Sequence, residues 1–367
     1  MKILFTANDT NFAWNLRREV MMELVKTGHT VTLAAKIKDF ECEFREAGVR
    51  LIDIDIDRRG TNPFSDVLLF CRYRAVLKKT RPDIVFTNNI KPNIYAGLAC
   101  QLLKIRYISN ITGLGTSVEN PGPLQRLSVF LYRLGVRKAT AVFFQNSENQ
   151  AFFYKHRMIK KDTKEILLPG SGVNLESFPL LPWPSEGPIH ILFAARIMKE
   201  KGIDCFLAAA RRFASEGKIV FDICGQCDDP SYLEIIRDNR FVNYHGLQKD
   251  LRSFYEHCSL FLYPSYYPEG MSNVLLEASA SGRPVITTDR AGCRETVDDK
   301  KTGFIIPVKN EQAVLDAVGK FLSMSPEEMK KMGTAGREKM IREFDRTKVV
   351  KVYCEEVEKL SAVSMQR

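Results

Sequence analysis

Apolar segments of strand length alternate with longer segments of helical periodicity from the first residue of this 367-residue chain. Residues 2–6 are the first predicted strand and residues 12–26 the first predicted helix, and the order repeats as far as residue 158. In the segment 49–56 apolar residues alternate with Asp, which is typical of a strand with one wet face near a sheet edge. This alternation predicts a parallel sheet with helices on both faces.

A run of glycines and prolines between residues 169 and 188 interrupts the alternation, which resumes with a predicted strand at 189–194. A chain of this length favours two domains. We therefore predict an α/β protein with two Rossmann-like, doubly wound parallel-sheet domains that face a cleft. The predicted parts are a first domain (1–172), a hinge or linker (173–188), a second domain (189–345) and a C-terminal helix (346–367) that packs back toward the first domain. The expected ligand site is the cleft, at the carboxyl ends of the strands.

The formal net charge of +10 is concentrated in one half of the chain. Residues 1–180 account for all of it, residues 181–367 are neutral overall, and the stretch 58–161 carries an excess of 14 positive charges. This asymmetry predicts an anionic partner for the N-terminal half. Membrane lipid, nucleic acid and a phosphorylated substrate all satisfy that description.

The sequence also predicts the compartment. No apolar run approaches the roughly 18 residues that a membrane span needs, and the N-terminus turns polar too soon for a signal peptide. Nine scattered cysteines, an odd number without framework spacing, predict reduced thiols. We therefore expect a cytoplasmic protein.

Motifs of several nucleotide and metal enzymes are absent from the sequence. The nearest match to G-x-G-x-x-G begins at Gly113 and lacks the third glycine, and neither a P-loop nor H-E-x-x-H occurs. The five scattered histidines offer no metal-binding cluster. These absences argue against a dehydrogenase, a P-loop enzyme and a zinc enzyme.

A predicted buried strand at 259–263 runs into a loop and then a helix. Gly270 in the loop permits close approach of a ligand to the backbone, and Ser272 or Asn273 is expected to cap the helix. Free backbone N–H groups at a helix start attract anions, helped by the helix dipole. This segment is therefore the predicted anion site.

Two carboxylates, Glu269 and Glu277, lie on either side of that helix start. The order of groups is carboxylate, N–H cradle, carboxylate, which fits a diphosphate flanked by two hydroxyl-bearing sugars. The alternative is a capped helix with two solvated glutamates. A second element, at the end of strand 189–194, supplies Arg196 and Lys201, whose charges suit a diphosphate unless they are ordinary surface cations.

Together these residues resemble the retaining GT-B glycosyltransferases of family 4. The resemblance covers nearly the whole chain. Within the family, the chain is similar to bacterial transferases acting on undecaprenyl-diphosphate-linked sugars. The matching motifs are E-x7-E (Glu269, Glu277), R-x4-K (Arg196, Lys201), residues 170–178, residues 282–289, residues 292–297, Lys91-Pro92, residues 111–115 and residues 143–146.

The resemblance implies a role for each of these positions. Arg196 and Lys201 would hold the donor diphosphate, Glu269 the donor sugar and Glu277 the nucleotide ribose. The base would lie near Gly225 and residues 244–250. The backbone N–H groups that would cradle the diphosphate belong to Gly270, Met271, Ser272 and Asn273. Sugar would transfer with retained configuration, without metal or cofactor, by front-face attack in which the departing diphosphate takes the acceptor proton.

The resemblance also implies the substrates. The donor is a nucleotide-diphosphate sugar, expected to be UDP-linked, and the acceptor a lipid-diphosphate-linked sugar of capsule, exopolysaccharide or glycan biosynthesis. The first domain would face acceptor and membrane, but the sequence departs there from the glycine pair and the histidine of many relatives. Acceptor-side candidates are Asn11, Lys91 and Thr112.

The predicted helix at 124–138 is amphipathic and basic. Its apolar stripe comprises Leu124, Leu127, Phe130, Leu131 and Leu134, and Arg126, Arg133 and Arg137 lie along another face. A helix of this kind can lie in an anionic membrane surface, and the alternative is a helix packed on the core with solvated arginines. We expect peripheral association with the inner face of the cell membrane.

Two rival functions stay open. A GT-B nucleotide-sugar epimerase would act on the donor alone and need no lipid acceptor. A basic nucleic-acid-binding protein would account for the pI of about 9.1, but the sequence contains no recognisable nucleic-acid-binding motif and no nucleic-acid partner is predicted.

Overall fold

The computed structural model describes residues 1–57, 62–115, 118, 121–215, 218–227, 229–237 and 239–365. These residues form two compact units: Met1–Ser171 with Thr347–Arg367, and Gly172–Arg346. Arg58 and Arg59 of the basic stretch lie outside the described residues. All nine cysteines lie within the described residues and are free thiols.

The first unit contains a seven-stranded parallel sheet with the order β3-β2-β1-β4-β5-β6-β7. Its strands are Lys2–Asp9 (β1), Thr30–Lys36 (β2), Arg50–Asp53 (β3), Ile84–Asn88 (β4), Arg106–Ile111 (β5), Ala141–Phe144 (β6) and Lys164–Leu167 (β7). Its helices in the first 171 residues are Thr10–Lys26 (α1), Glu41–Glu46 (α2), Pro63–Thr80 (α3), Ile90–Leu103 (α4), Pro123–Val136 (α5) and Ser147–Lys155 (α6).

Successive residues of the central strands enter different cores on the two faces of this sheet. Leu4 and Val85 belong to one apolar cluster, while Phe5 and Phe86, which are register partners, belong to the other. Burial on both faces explains why these strands read as unbroken apolar runs. The edge position predicted for 49–56 is confirmed, although β3 is shorter than predicted.

The second unit contains a six-stranded parallel sheet with the order β10-β9-β8-β11-β12-β13. Its strands are Ile189–Ala194 (β8), Ile219–Cys224 (β9), Asn243–Tyr244 (β10), Cys258–Tyr263 (β11), Val285–Thr288 (β12) and Gly303–Ile306 (β13). Its helices are Ile203–Phe213 (α7), Pro230–Arg237 (α8), Arg252–His257 (α9), Asn273–Ala280 (α10), Glu311–Leu322 (α11) and Pro326–Lys339 (α12), with a π-helix at Met340–Phe344. The prediction of two doubly wound parallel sheets is confirmed.

The segment 173–188 is bonded to the second unit. The guanidinium of the fully buried Arg283 donates to the carbonyl of Pro182 at 2.8 Å, and that of Arg337 donates to the carbonyl of Phe178 at 2.5 Å. The last helix, Arg346–Met365 (α13), then places residues from Thr347 onward in the first unit.

Candidate functional site

Two neighbouring strands of the second unit bring its predicted cations and carboxylates together. β8 ends at Ala194, directly before Arg196, and the 3-10 turn Lys199–Lys201 follows. β11 pairs in parallel with β8 and ends at Tyr263, before the loop that carries Glu269. Because the carboxyl ends of parallel strands meet at one sheet edge, both segments lie at that edge.

Lys201 forms the most tightly bonded part of this site. Its side chain is only 8% exposed, and its Nζ contacts Oε1 of Glu269 and donates to the Tyr263 hydroxyl at 2.8 Å. The Tyr263 hydroxyl also donates to Oε1 of Glu269 at 3.0 Å, which closes a triangle of contacts. Burial disfavours the charged amine, but Glu269 and Tyr263 outweigh it and raise the pKa of Lys201. Lys201 is therefore a fixed, permanently charged group.

Arg196 is partly buried and lies next to an aromatic ring. Its Cζ is 5.5 Å from the ring centroid of Tyr267, and the Nζ of Lys201 is 4.6 Å from the same centroid. Arg196 has no ion-pair partner among the described residues. Its guanidinium is consequently available to an anionic ligand.

The start of α10 differs from the sequence expectation in its capping. Ser272 occupies the N-cap position, but no side-chain capping bond forms there among the described residues, so the predicted cap by Ser272 or Asn273 is wrong. The Ser272 backbone N–H instead donates to the carbonyl of Gly292 at 2.8 Å, and Oδ1 of Asn273 is buried without a hydrogen-bond partner. Because no side chain occupies the first-turn N–H groups, they remain available to an anion.

Gly292 fixes the loop that precedes α10. Its φ is +83°, and a Cβ on it would lie 2.9 Å from both the Glu269 Cβ and the Gly270 carbonyl oxygen. Gly270, Met271 and Ser272 are buried in this loop. Gly292 therefore fixes the backbone of the loop beside Glu269, with the Ser272 N–H bonded to the Gly292 carbonyl.

Glu277 lies one turn into α10, in a different environment from that of Glu269. Its Oε2 accepts a hydrogen bond from the Tyr255 hydroxyl at 3.2 Å. Burial raises the pKa of Glu277 from 4.5 to about 7, against the opposing effects of that hydrogen bond and of the Arg346 charge. The two predicted carboxylates are thus separate groups with different partners.

Gly225 follows β9 in backbone geometry that only glycine tolerates. Its φ is +152°, and a Cβ would lie 1.7 Å from the carbonyl oxygen of Ala195. The Tyr244 hydroxyl donates to the Gly225 carbonyl at 2.9 Å, and the Gly225 N–H donates to the Gly246 carbonyl at 2.7 Å. These bonds hold the segment predicted to receive the base close to the end of β8.

A histidine–aspartate cluster that the sequence did not reveal lies behind this segment. Oδ2 of Asp222 contacts Nδ1 of His190 at 2.7 Å, and Oδ1 contacts Nε2 of His245 at 2.8 Å. Burial opposes the charge on Asp222, but the hydrogen bonds from the two imidazoles lower its pKa. His190 lies on β8, Asp222 on β9 and His245 directly after β10; the two histidines are 32 and 23 positions from Asp222, a spacing that has no motif signature.

The three acceptor-side candidates lie in the first unit, where each has a polar partner. Asn11 exchanges hydrogen bonds with Asp39, at 2.9 and 3.2 Å, and Lys91 pairs with Asp66 at 2.8 Å. Thr112, at the end of β5, accepts from the Asn89 side chain at 3.3 Å.

Asn89, directly after β4, is a further polar residue near Thr112 that the sequence did not reveal. Its Oδ1 accepts from the Asn8 N–H at 3.1 Å, so its amide joins the ends of β1 and β5. Asn89 adopts φ +70° and ψ 167°, a strained conformation for a residue other than glycine. Asn89 thus joins Thr112 to the end of β1, whereas Lys91 and Asn11 pair elsewhere.

The described part of the chain contains no candidate metal site, and the His190–Asp222–His245 cluster is not one. No three His, Cys, Asp or Glu residues there are placed to hold a metal ion. The positive groups of the site are Arg196, Lys201 and the start of α10.

Solved structures with the same architecture define the class of protein. Sucrose-phosphate synthase from Thermosynechococcus elongatus superimposes with a TM-score of 0.82 at 18% identity, covering 99% of this chain and 100% of that one. Anabaena Alr3699/HepE, solved in complex with UDP and glucose, gives a TM-score of 0.79 at 13% identity, covering 98% and 100%. The fold is the GT-B fold of glycosyltransferases.

Family and sequence comparisons agree with this class. The family "Glycosyl transferase 4-like" matches residues 2–146, and "Glycosyl transferases group 1" matches residues 188–324. N,N'-diacetylbacillosaminyl-diphospho-undecaprenol alpha-1,3-N-acetylgalactosaminyltransferase of Campylobacter jejuni is 25% identical over 88% of this chain and 89% of its own length. The capsular polysaccharide glycosyltransferase CapM of Staphylococcus aureus is 24% identical over 70% and 73%. The chain belongs to the family 4 glycosyltransferases of the GT-B type.

Proposed function

We propose that this glycosyltransferase moves a hexose or N-acetylhexosamine from a UDP-linked sugar to a lipid-diphosphate-linked sugar, with retention, in capsule, exopolysaccharide or glycan biosynthesis. The observation that carries the proposal is the grouping of Arg196 and Lys201 at the Tyr267 ring, where Lys201 also contacts Glu269 of the loop that leads to the uncapped start of α10. The names of the C. jejuni and S. aureus relatives support the acceptor and the pathway class, and the UDP complexes of HepE support the donor.

In the proposed mechanism the fixed positive groups stabilise the leaving diphosphate. Arg196, Lys201 and the N–H groups in the first turn of α10 bind it, and the charge that develops as the sugar departs is offset without a metal ion. The Ser272 N–H of the expected cradle already donates to the Gly292 carbonyl. The Lys201–Glu269 contact places a carboxylate beside the diphosphate, where it binds donor-sugar hydroxyls. Glu277 binds the ribose and the surroundings of Gly225 receive the base.

The acceptor is proposed to bind at the polar edge of the first unit. Lys91, Thr112 and Asn11 are its candidate contacts, and the Asn89 side chain donates to Thr112. The acceptor hydroxyl attacks on the same face that the diphosphate leaves, and the diphosphate takes its proton. Rate enhancement then rests on positioning and on leaving-group stabilisation.

A donor screen tests the proposal directly. The full chain is incubated with UDP- and GDP-sugars and a lipid-diphosphate-sugar acceptor, and released nucleotide diphosphate is measured. We expect release that depends on the acceptor; conversion of donor in the absence of acceptor would favour an epimerase instead.

Substitution of the two cations tests whether Arg196 and Lys201 bind the leaving diphosphate. Arg196→Ala and Lys201→Ala should each lower kcat/KM about 10²–10³-fold, because each removes a preorganised charge from the leaving group. Arg211→Ala, at an exposed position on α7, is the matched control and should be silent. Near-wild-type kcat/KM in either site variant would refute the diphosphate assignment.

The surface of the first unit supports peripheral membrane association. α5 buries Tyr132, Gly135 and Val136, which leaves Leu124, Leu127 and Phe130 of the predicted stripe exposed. Leu131 and Leu134, also assigned to that stripe, are partly buried. The exposed arginines are Arg126 and Arg133 on this helix and Arg137 directly after it.

A second exposed apolar patch of the first unit lies on α3. Its first turns expose Phe64 (84%), Val67 and Leu68, and both α3 and α5 pack on α4. Exposed apolar side chains among basic residues suit the interface of an anionic bilayer. None of the helices in the described ranges is both long and apolar enough to span a bilayer.

Liposome co-sedimentation tests the membrane contact. We expect wild type to bind anionic vesicles in a salt-sensitive manner, and the Leu124→Ser/Leu127→Ser/Phe130→Ser variant to bind at least about tenfold less, because it loses apolar insertion. Leu102→Ser removes an exposed leucine from α4 and is the control. Absence of salt-sensitive binding by wild type would remove the proposal.

A further inference from the structure

Tyr267 contacts both cations of the donor site with one aromatic ring. The centroid of that ring is 4.6 Å from the Lys201 Nζ and 5.5 Å from the Arg196 Cζ. We infer that Tyr267 is a positioning residue: it holds the two charges at the spacing that a nucleoside diphosphate requires. This inference rests on the proposed function.

The two cations need such a partner because like charges repel at short range. The face of an aromatic ring carries negative quadrupole charge and attracts a nearby cation. Lys201 is also held by Glu269 and Tyr263, whereas Arg196 has no ion pair among the described residues. Loss of the ring should therefore displace Arg196 more than Lys201.

The backbone around Tyr267 is bonded to the segment that carries Lys201. The Tyr267 N–H donates to Oγ of the fully buried Ser265 at 3.2 Å, and that hydroxyl donates to the Glu200 carbonyl at 3.3 Å. The Tyr266 N–H donates to the same carbonyl at 2.9 Å. The ring is thus fixed relative to the 3-10 turn Lys199–Lys201, as positioning requires.

The chain offers a matched control in the adjacent tyrosine. The ring of Tyr266 lies 4.7 Å from the Nζ of Lys309, so it makes the same kind of contact with a cation that has no assigned role in the donor site. Tyr266→Leu removes an equal side chain from the same loop. A general disturbance of the loop would affect both positions, whereas positioning would affect Tyr267 alone.

Calorimetric binding of nucleoside diphosphates and of the parent nucleosides tests the inference. UDP with uridine and GDP with guanosine are titrated into the wild-type full chain, and the tighter pair is used for the variants. Tyr267→Leu and Tyr267→Met, which both lack the ring, should lose about tenfold in diphosphate affinity and nothing in nucleoside affinity. Tyr267→Phe, which keeps the ring, should bind within about twofold of wild type, and Tyr266→Leu should match wild type.

Each other result overturns the inference. Wild-type diphosphate affinity in Tyr267→Leu and Tyr267→Met would show that the ring does not position the cations. Equal losses for diphosphate and nucleoside, or a loss in Tyr266→Leu, would show only a structural role. If wild type binds neither diphosphate, the proposed function is refuted as well. Failure of the inference alone would instead show as wild-type binding of a diphosphate that does not depend on the Tyr267 ring.

Discussion

At the scale of single residues, the burial of Glu277 makes the stability of the folded chain depend on pH. In the folded chain burial raises its pKa from 4.5 to about 7. Between these values the folded state binds more protons than the unfolded state, so stability falls as pH rises. This destabilisation of the folded state by the buried carboxylate is absent below pH 4.5 and fully present above pH 7.

Glu277→Gln should remove this cost. We expect the variant to unfold with a free energy about 1–3 kcal/mol higher than wild type at pH 8, after discounting for partial exposure. The two proteins should become nearly equal at pH 5. Denaturant unfolding at both pH values measures the difference, and Glu338→Gln, at an exposed position in the same unit, controls for the loss of a charge. A difference that does not depend on pH would contradict the buried carboxylate.

At the scale of elements, the loops after β9 and β10 depend on two glycines with unequal surroundings. Both have positive φ, +152° at Gly225 and +67° at Gly246. A Cβ at Gly225 would lie 1.7 Å from the Ala195 carbonyl oxygen, whereas a Cβ at Gly246 would meet nothing within 4 Å. The two positions therefore separate backbone strain from steric clash.

Gly246→Ala should cost about 1 kcal/mol from its left-handed backbone alone. Gly225→Ala should cost at least about 3 kcal/mol, because the backbone of β8 or β9 must also shift. Thermal unfolding of the two variants measures both costs, and nucleoside binding should weaken in Gly225→Ala. Equal losses of stability in the two variants would mean that the loop after β9 accommodates the Cβ by moving without any shift of β8.

Prediction from the sequence succeeded where periodicity carries the information. Strand β8 was predicted with its observed ends, since a mostly apolar strand bounded by Pro188 and a polar loop is distinct. β7 was missed because Lys164 and Glu165 leave it only two apolar residues. The exposure of the α5 stripe was also undetermined, because periodicity finds the faces of a helix but not which one packs.

The candidate site was predictable only in part, for a related reason. The spacing of Glu269 and Glu277, and of Arg196 and Lys201, is visible in the sequence and suggested a shared ligand. The Lys201–Tyr263–Glu269 triangle joins residues 62 and 68 positions apart, so it exists only once β8 and β11 pair. Contacts of this kind follow from sheet order, which no local pattern specifies.

At the scale of the whole molecule, the chain order and the structural units do not coincide. The first unit is completed by the C-terminal helix α13, whose residues from Thr347 belong to it. Glu356 of this helix pairs with Lys164 of β7 at 2.6 Å. Folding of the first unit therefore needs both ends of the chain, which raises its contact order.

Tyr353 is the residue through which α13 enters the core of the first unit. It is fully buried, its ring centroid lies 5.0 Å from that of Phe86 and 4.9 Å from that of Phe143, and its hydroxyl accepts a hydrogen bond from the Asn110 side chain at 2.6 Å. Tyr353→Ala leaves a cavity beside β4 and β6, and the Asn110 amide on β5 loses its short hydrogen bond to the hydroxyl while it keeps the one to Asn88 Oδ1 at 3.3 Å. We expect a loss of about 3–5 kcal/mol in the unfolding free energy.

Hydrogen exchange of the full chain locates this loss. Amides of β4, β5 and β6 should lose protection in Tyr353→Ala, whereas those of β8 and β11, in the other unit, should keep it, because local opening is confined to the elements that lose contacts. Lys351→Ala, at an exposed position of the same helix, should change stability by less than about 0.5 kcal/mol. Unchanged protection around β4, or an equal loss of protection on β8, would contradict the assignment of α13 to the first unit. Either result would mean that the core of the first unit depends on α13 no more than the second unit does.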